Sequence, residues 1–165
     1  AGRIQNIFRK VTLQRGEERL FAASDLHQRT FRLKGERIGV LICVETAQAP
    51  WQILSTDDRP SFIYWPGFYG ATAAEASSPW EESASKSDQI VRSNLIDHWR
   101  SPLVLVNCAS SPEAQYWPGK EFGGSKAHRA DGSYFYGAAR AEEEHFLLKI
   151  EKGTLLSSSK LLCRA

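Results

Sequence analysis

The 165-residue sequence contains no methionine and begins at Ala1, so its first residue does not read as a translation start. The opening residues already have the character of structured sequence, and the expectation is that further polypeptide belongs upstream. Cysteine is scarce: Cys43, Cys108 and Cys163 are odd in number and show neither CxxC nor metal-ligand spacing. That argues against a disulfide framework or a zinc site and for a reducing compartment, with the cytoplasm as the expected location. No apolar run approaches the roughly 18 residues of a membrane helix. The longest, Val40-Leu41-Ile42-Cys43-Val44, has the length of a strand. No signal-peptide pattern opens the chain. An excess of one charge is also missing: the net charge is +2, and basic and acidic residues interleave, as in Arg15-Gly16-Glu17-Glu18-Arg19. Without a basic stripe, neither nucleic acid nor an anionic membrane is expected as a partner.

What is present fits one ordinary globular domain, with 42% hydrophobic and 24% charged residues. Residues 4–13 alternate loosely and end at the turn signal Gln14-Arg15-Gly16. Residues 26–33 are half-polar, as in an edge strand, and Lys34-Gly35-Glu36 reads as a turn. The strongest strand signal is Arg37 to Val44, a continuous β-branched-rich run typical of a strand buried on both faces. A short helical segment is expected over 50–54, a buried strand over 61–65, and an amphipathic helix over 82–98 with Ile90, Leu95 and Ile96 inward. Leu103 to Val106 predicts a third buried strand. Residues 122–126 and 130–135 predict two strands joined by an Asp-Gly turn. Residues 146–150 predict a last strand, and 152–165 a carboxy-terminal tail beyond a domain spanning 1–151. This order describes an α/β domain with at least one sheet sandwiched between layers.

Few residues stand out chemically. Cys43 lies where the most buried strand must turn toward a helix, a position at which α/β folds expose reactive groups. A helix amino terminus there would favour a thiolate and offer N–H donors to an oxyanion. Position alone favours a structural core cysteine. Lys10, flanked by apolar residues, could be turned inward as a fixed cation. Glu17 and Glu45 are unremarkable singly.

Taken together, Phe8-Arg9-Lys10-Val11-x-Leu13, then Gly16-Glu17, then Arg37-Ile38-Gly39-Val40-Leu41-Ile42-Cys43-Val44-Glu45 resemble the central stretch of the nitrilase superfamily of carbon–nitrogen hydrolases. Val104 to Asn107 resembles a strand of that family ending in Asn. Phe122-Gly123-Gly124-Ser125-Lys126 with Asp131-Gly132 resembles its Gly-Gly-Ser segment and hairpin, and 146–151 its closing strand. The resemblance runs to about Glu151 and implies part of a four-layer α-β-β-α sandwich whose amino-terminal portion lies outside this chain.

The same resemblance implies the chemistry. Cys43 would be the nucleophile, Lys10 the cation beside the oxyanion, the Val44 N–H a second donor, and Glu17 an acidic residue positioning substrate and lysine. Glu45, and Trp65 and Phe68 in an aromatic loop, are expected around the substrate, with Gln115-Tyr116-Trp117 as a second aromatic border. An amide or nitrile would pass through a Cys-bound thioester, with no metal or organic cofactor and with a homo-oligomeric assembly. The family's general-base glutamate lies upstream of the lysine, and no glutamate of this chain holds that place. Val44 stands where many members have an aromatic residue. Two alternatives therefore stay open: acyl transfer of the apolipoprotein N-acyltransferase kind, and a non-catalytic relative serving as a binding module.

Overall fold

The computed structural model describes residues 4, 7–13, 16–25, 29–46, 50–54, 59–67, 71–72, 94–107, 120–121, 125–137 and 145–161. Its centre is a six-stranded mixed sheet in the order β1-β2-β3-β5-β7-β8. These strands are β1 (Thr30–Leu33), β2 (Glu36–Val40), β3 (Phe62–Gly67), β5 (Leu103–Asn107), β7 (Lys126–His128) and β8 (Tyr134–Gly137). Between them fall two short strands, β4 (Ala71–Thr72) and β6 (Lys120–Glu121), which pair with each other. The run β2-β3-β5 is parallel, while β1 at one side and β7-β8 at the other are antiparallel. The half-polar segment thus does contain an edge strand, β1.

Alternation along the central strands sorts their side chains onto two faces. Ile63 and Trp65 of β3, with Leu103 and Leu105 of β5, pack with Leu41, Ile53, Leu54, Leu95 and Trp99. The helical residues on this face are α1 (Pro50–Ile53) and the stretch 94–99. Leu95 and Ile96 are buried as the amphipathic pattern predicts, whereas Ile90 lies outside the described residues. On the opposite face Val104 and Ala127 meet Leu155, flanked by Phe62, Tyr64, Phe135, Leu148 and Ile150. Both faces of the sheet are covered, which is why these strands read as unbroken apolar runs. Gly39 sits at the tightest point: a Cβ there would lie 3.1 Å from a Leu54 methyl and 3.3 Å from Pro60.

The second face is covered by the segment expected to be a tail. Residues Thr154–Leu161 form β10, antiparallel to β9 (His145–Glu151). The turn between them is Lys152-Gly153, with φ of 47° and 70°. Positive φ at both central residues is the two-residue hairpin turn that matches strand twist. Lys34-Gly35, at 49° and 85°, makes the same kind of turn between β1 and β2. Polar Ser157, Ser158 and Ser159 hid β10 in the composition, and it is held by its pairing with β9 and by buried Leu155. The tips of the two hairpins meet: Glu36 accepts a hydrogen bond from the Lys152 N–H at 2.6 Å.

Two further boundaries differ from expectation. The strand predicted to run to Val44 ends at Val40, and a 3₁₀ turn spans Cys43–Thr46. The strand predicted over 122–126 begins at Lys126, since Leu105, Val104 and Leu103 pair with Lys126, Ala127 and His128. The Asp131-Gly132 turn is as expected, with Gly132 at φ 85° and Asp131 Oδ1 accepting the Ser133 N–H at 2.8 Å. No helix among the described residues is long and apolar enough to cross a membrane.

Candidate active site

The end of β2 shapes the site. Leu41 still donates to the Tyr64 carbonyl at 3.1 Å, as a continuing strand would. One residue later the Ile42 N–H turns aside to Glu45 Oε2 at 2.7 Å. Cys43 then takes φ 53°, a left-handed conformation that non-glycine residues seldom adopt. The expected helix is a single 3₁₀ turn, Cys43–Thr46, too short for a helix-dipole argument. The half-buried Cys43 thus sits at a strained backbone corner where the strand ends.

The corner is held on its far side. The Cys43 carbonyl accepts from Trp65 Nε1 at 3.0 Å and from Thr46 Oγ1 at 3.0 Å. In a trans peptide the carbonyl and the next N–H point in opposite directions. Fixing the Cys43 carbonyl therefore aims the Val44 N–H away from Trp65 and holds it there. Trp65 itself is 0% exposed within β3 and packs in the core, so the expected pocket-lining role is corrected to one of support. Period-2 alternation puts it on the covered face with Ile63. Phe68, Gln115, Tyr116 and Trp117 lie outside the described residues.

Glu45 also departs from expectation. It is 0% exposed, and its carboxylate is fully engaged, so it is no substrate-facing group. Oε1 accepts the N–H of Val11 at 2.6 Å and, more weakly, that of Thr12 at 3.4 Å. Oε2 accepts from Ile42 and, at 2.7 Å, from Arg29 Nη1. One side chain thus ties the segment after Lys10 to the turn that carries Cys43. Arg29, 2% exposed, was not singled out in the sequence, where it sits in a half-polar stretch without a motif. The one available signal was indirect: a carboxylate beside a core strand must face solvent or find a cation.

Lys10 and Glu17 form an ion pair at 2.5 Å, with side chains 16% and 34% exposed. Gly16 makes their approach possible, at φ 99° just ahead of the 3₁₀ turn Glu17–Arg19. The Lys10 carbonyl is bonded by the Ser24 N–H at 2.9 Å, which fixes the lysine's backbone from the other side. Through Glu45 the backbone just after Lys10, at Val11 and Thr12, is tied to that just before Cys43, at Ile42. Among the described residues no group of three or more His, Cys, Asp or Glu is arranged to hold a metal.

No family model and no curated protein matches this sequence. Solved structures do match its fold. A carbon–nitrogen hydrolase from Helicobacter pylori G27 superposes with a TM-score of 0.60 at 17% identity, over 81% of this chain and 48% of that one. Saccharomyces cerevisiae Nit3, of branch 10 of the nitrilase superfamily, gives 0.56 at 20% identity, over 82% and 45%. An amidase from Nesterenkonia sp. gives 0.57 at 14% identity, over 93% and 49%. The fold is therefore that of nitrilase-superfamily proteins. This chain spans about half the length of the solved structures it matches.

Proposed function

We propose that this chain is part of a nitrilase-superfamily thiol hydrolase acting on non-peptide carbon–nitrogen bonds of amides or nitriles. The observation that carries the reading is the Cys43 corner: a left-handed cysteine at a strand end, its carbonyl locked by Trp65 and Thr46, wired through Glu45 to the Lys10–Glu17 segment. The Cys43 sulfur attacks the amide carbon, forming a C–S bond and a tetrahedral oxyanion. The Val44 N–H and the Lys10 ammonium stabilise that oxyanion, and Glu17 holds the lysine in place. Collapse breaks the C–N bond, the nitrogen takes up a proton, and ammonia or an amine leaves. Water then attacks the thioester, releasing the carboxylic acid and restoring the thiol. The general base for these proton transfers belongs, by resemblance, to sequence upstream of Lys10, so the complete cycle is proposed for the whole protein.

The experiment is acyl trapping. The whole protein, general base included, is incubated with simple aliphatic amides and nitriles plus hydroxylamine, measuring hydroxamate and the mass of the Cys43 peptide. An acyl adduct on Cys43 is expected, absent in Cys43→Ala. Losing one oxyanion donor in Lys10→Met is expected to lower the rate about 10²–10³-fold. Trp65→Phe, which removes one of the two donors to the Cys43 carbonyl, is expected to lower kcat more than it raises KM. Hydroxamate formed equally by Cys43→Ala, or no adduct on Cys43 with any substrate, would overturn the reading and favour a non-catalytic binding module.

A further inference from the structure

Three elements converge on Arg29, a buried residue that belongs to no sequence motif. Its N–H donates to the carbonyl of Ile53, the last residue of α1, at 3.4 Å. Its carbonyl accepts the N–H of Val40, the last residue of β2, at 2.9 Å. Its Nη1 donates to Glu45 Oε2 at 2.7 Å. The backbone of Arg29 is thus anchored to the strand that leads toward Cys43, and its guanidinium is delivered to the carboxylate of the turn that follows.

What this delivery achieves follows from how Glu45 uses its two oxygens. Oε1 takes the Val11 N–H, next to Lys10, at 2.6 Å, and Oε2 takes the Ile42 N–H, next to Cys43, at 2.7 Å. An ionised carboxylate is a full acceptor on both oxygens. A neutral acid keeps one and turns the other into a hydroxyl, a weaker acceptor with a proton of its own to place. Buried as it is, Glu45 holds its charge only beside a cation, and Arg29 supplies one. We propose that Arg29 is a positioning residue for the oxyanion site: by keeping Glu45 a two-sided acceptor, it fixes the Lys10 segment relative to the Cys43 turn. The inference rests on the hydrolase reading and concerns a residue that acts through Glu45 alone. Its effect falls on the step that builds negative charge on oxygen, where a displacement of about 1 Å between donors costs up to about 10²-fold in rate. The Cys43 carbonyl meanwhile keeps its own two donors, Trp65 and Thr46.

The test uses the whole protein and two reactions at the same sulfur. Acylation by an aliphatic amide, trapped as hydroxamate, builds an oxyanion. Methylthiolation by methyl methanethiosulfonate, a displacement at sulfur that releases methanesulfinate, builds none. Arg29→Met is expected to lower kcat for hydroxamate about 10–100-fold, with KM and Cys43 methylthiolation little changed. Arg29→Lys is expected to recover most of kcat, because Nη1 makes the bond to Glu45 while Nη2 makes none among the described residues. Arg29→Met combined with Glu45→Gln leaves no lone ion in the core and so keeps the fold. Gln has one acceptor oxygen, and the combined variant is expected to show the same loss of kcat, which decides the matter should Arg29→Met alone not fold. A folded combined variant with unaltered kcat would overturn the proposal. So would Arg29→Lys as slow as Arg29→Met, or methylthiolation falling in step with kcat, which would make Arg29 a residue of general stability. Those results leave the hydrolase reading standing, whereas the absence of any Cys43 adduct in the unaltered protein would overturn both.

Discussion

Two ion pairs flank the Cys43 turn, and they differ in almost everything but chemistry. Lys10–Glu17 closes at 2.5 Å with side chains 16% and 34% exposed; Arg29–Glu45 closes at 2.7 Å with side chains 2% and 0% exposed. The first is within reach of water. Its strength is screened, and either partner can be drawn to another charge. The second has no such freedom. Glu45 uses both oxygens on four donors, and its carboxylate lies in the core, where no solvent replaces a lost partner. The same pairing of cation and carboxylate can therefore exchange partners when partly exposed and is fixed in the architecture when buried.

The largest expected effect comes from breaking the buried pair. Glu45→Gln removes the charge opposite Arg29 while keeping the side-chain shape, and is expected to cost about 3–5 kcal/mol of stability, measured by urea unfolding. Because the same carboxylate joins the Lys10 segment to the Cys43 turn, acylation of Cys43 is expected to fall with it. An unfolding midpoint close to that of the unaltered chain would erase the distinction between the two pairs.

Glu17→Gln sharpens the comparison from the other side. Its expected stability cost is below about 1 kcal/mol, the range of exposed pairs, while the hydroxamate rate drops. A loss of stability comparable to that of Glu45→Gln would show that the Lys10–Glu17 pair is structural as well.

The smallest effect belongs to a third carboxylate, Glu36, which is held by neutral donors instead of a buried cation. Hydrogen bonds from the Ser61 hydroxyl and the Lys152 N–H keep its pKa below the ordinary 4.5. The folded state thus binds its proton less readily than the unfolded chain does. Its contribution to stability is complete above about pH 4.5 and is lost as pH falls through the lower folded-state value. Glu36→Gln is expected to flatten the acid limb of the stability profile slightly, as read from thermal unfolding between pH 3 and 6 in roughly half-unit steps. An unchanged limb would mean that the contact between hairpin tips contributes nothing in solution.

Much of this was legible in the residues. Apolar runs announced β2, β3 and β5, because buried parallel strands have no solvent face to encode. Gly39, in the middle of the strongest run, gave no sign of the tight approach of Leu54 and Pro60 that the structure shows there. Lys34-Gly35 and Asp131-Gly132 showed as turns, since positive φ leaves a compositional trace. Lys152-Gly153 carried the same trace but was read with the serines behind it, and β10 was missed. At the site, Lys10, Glu17, Cys43 and Val44 were named from the resemblance, and the structure shows the Lys10–Glu17 ion pair and a Glu45 carboxylate that bonds the neighbours of Lys10 and Cys43. Arg29 and the support by Trp65 were not legible. Their roles come from a partner distant in sequence, 16 residues to Glu45 and 22 to Cys43, and no local pattern records such a pairing.

The bond from Lys152 to Glu36 spans 116 residues of chain. Each hairpin can close over its own two-residue turn within microseconds, needing nothing from the rest of the molecule. Bringing the tips together is a different event, for the intervening chain must lose most of its freedom before that contact returns anything. A lone hairpin is marginal in water, so β9 and β10 and the sheet face bearing Val104 and Ala127 depend on each other: closing that long loop is what covers both.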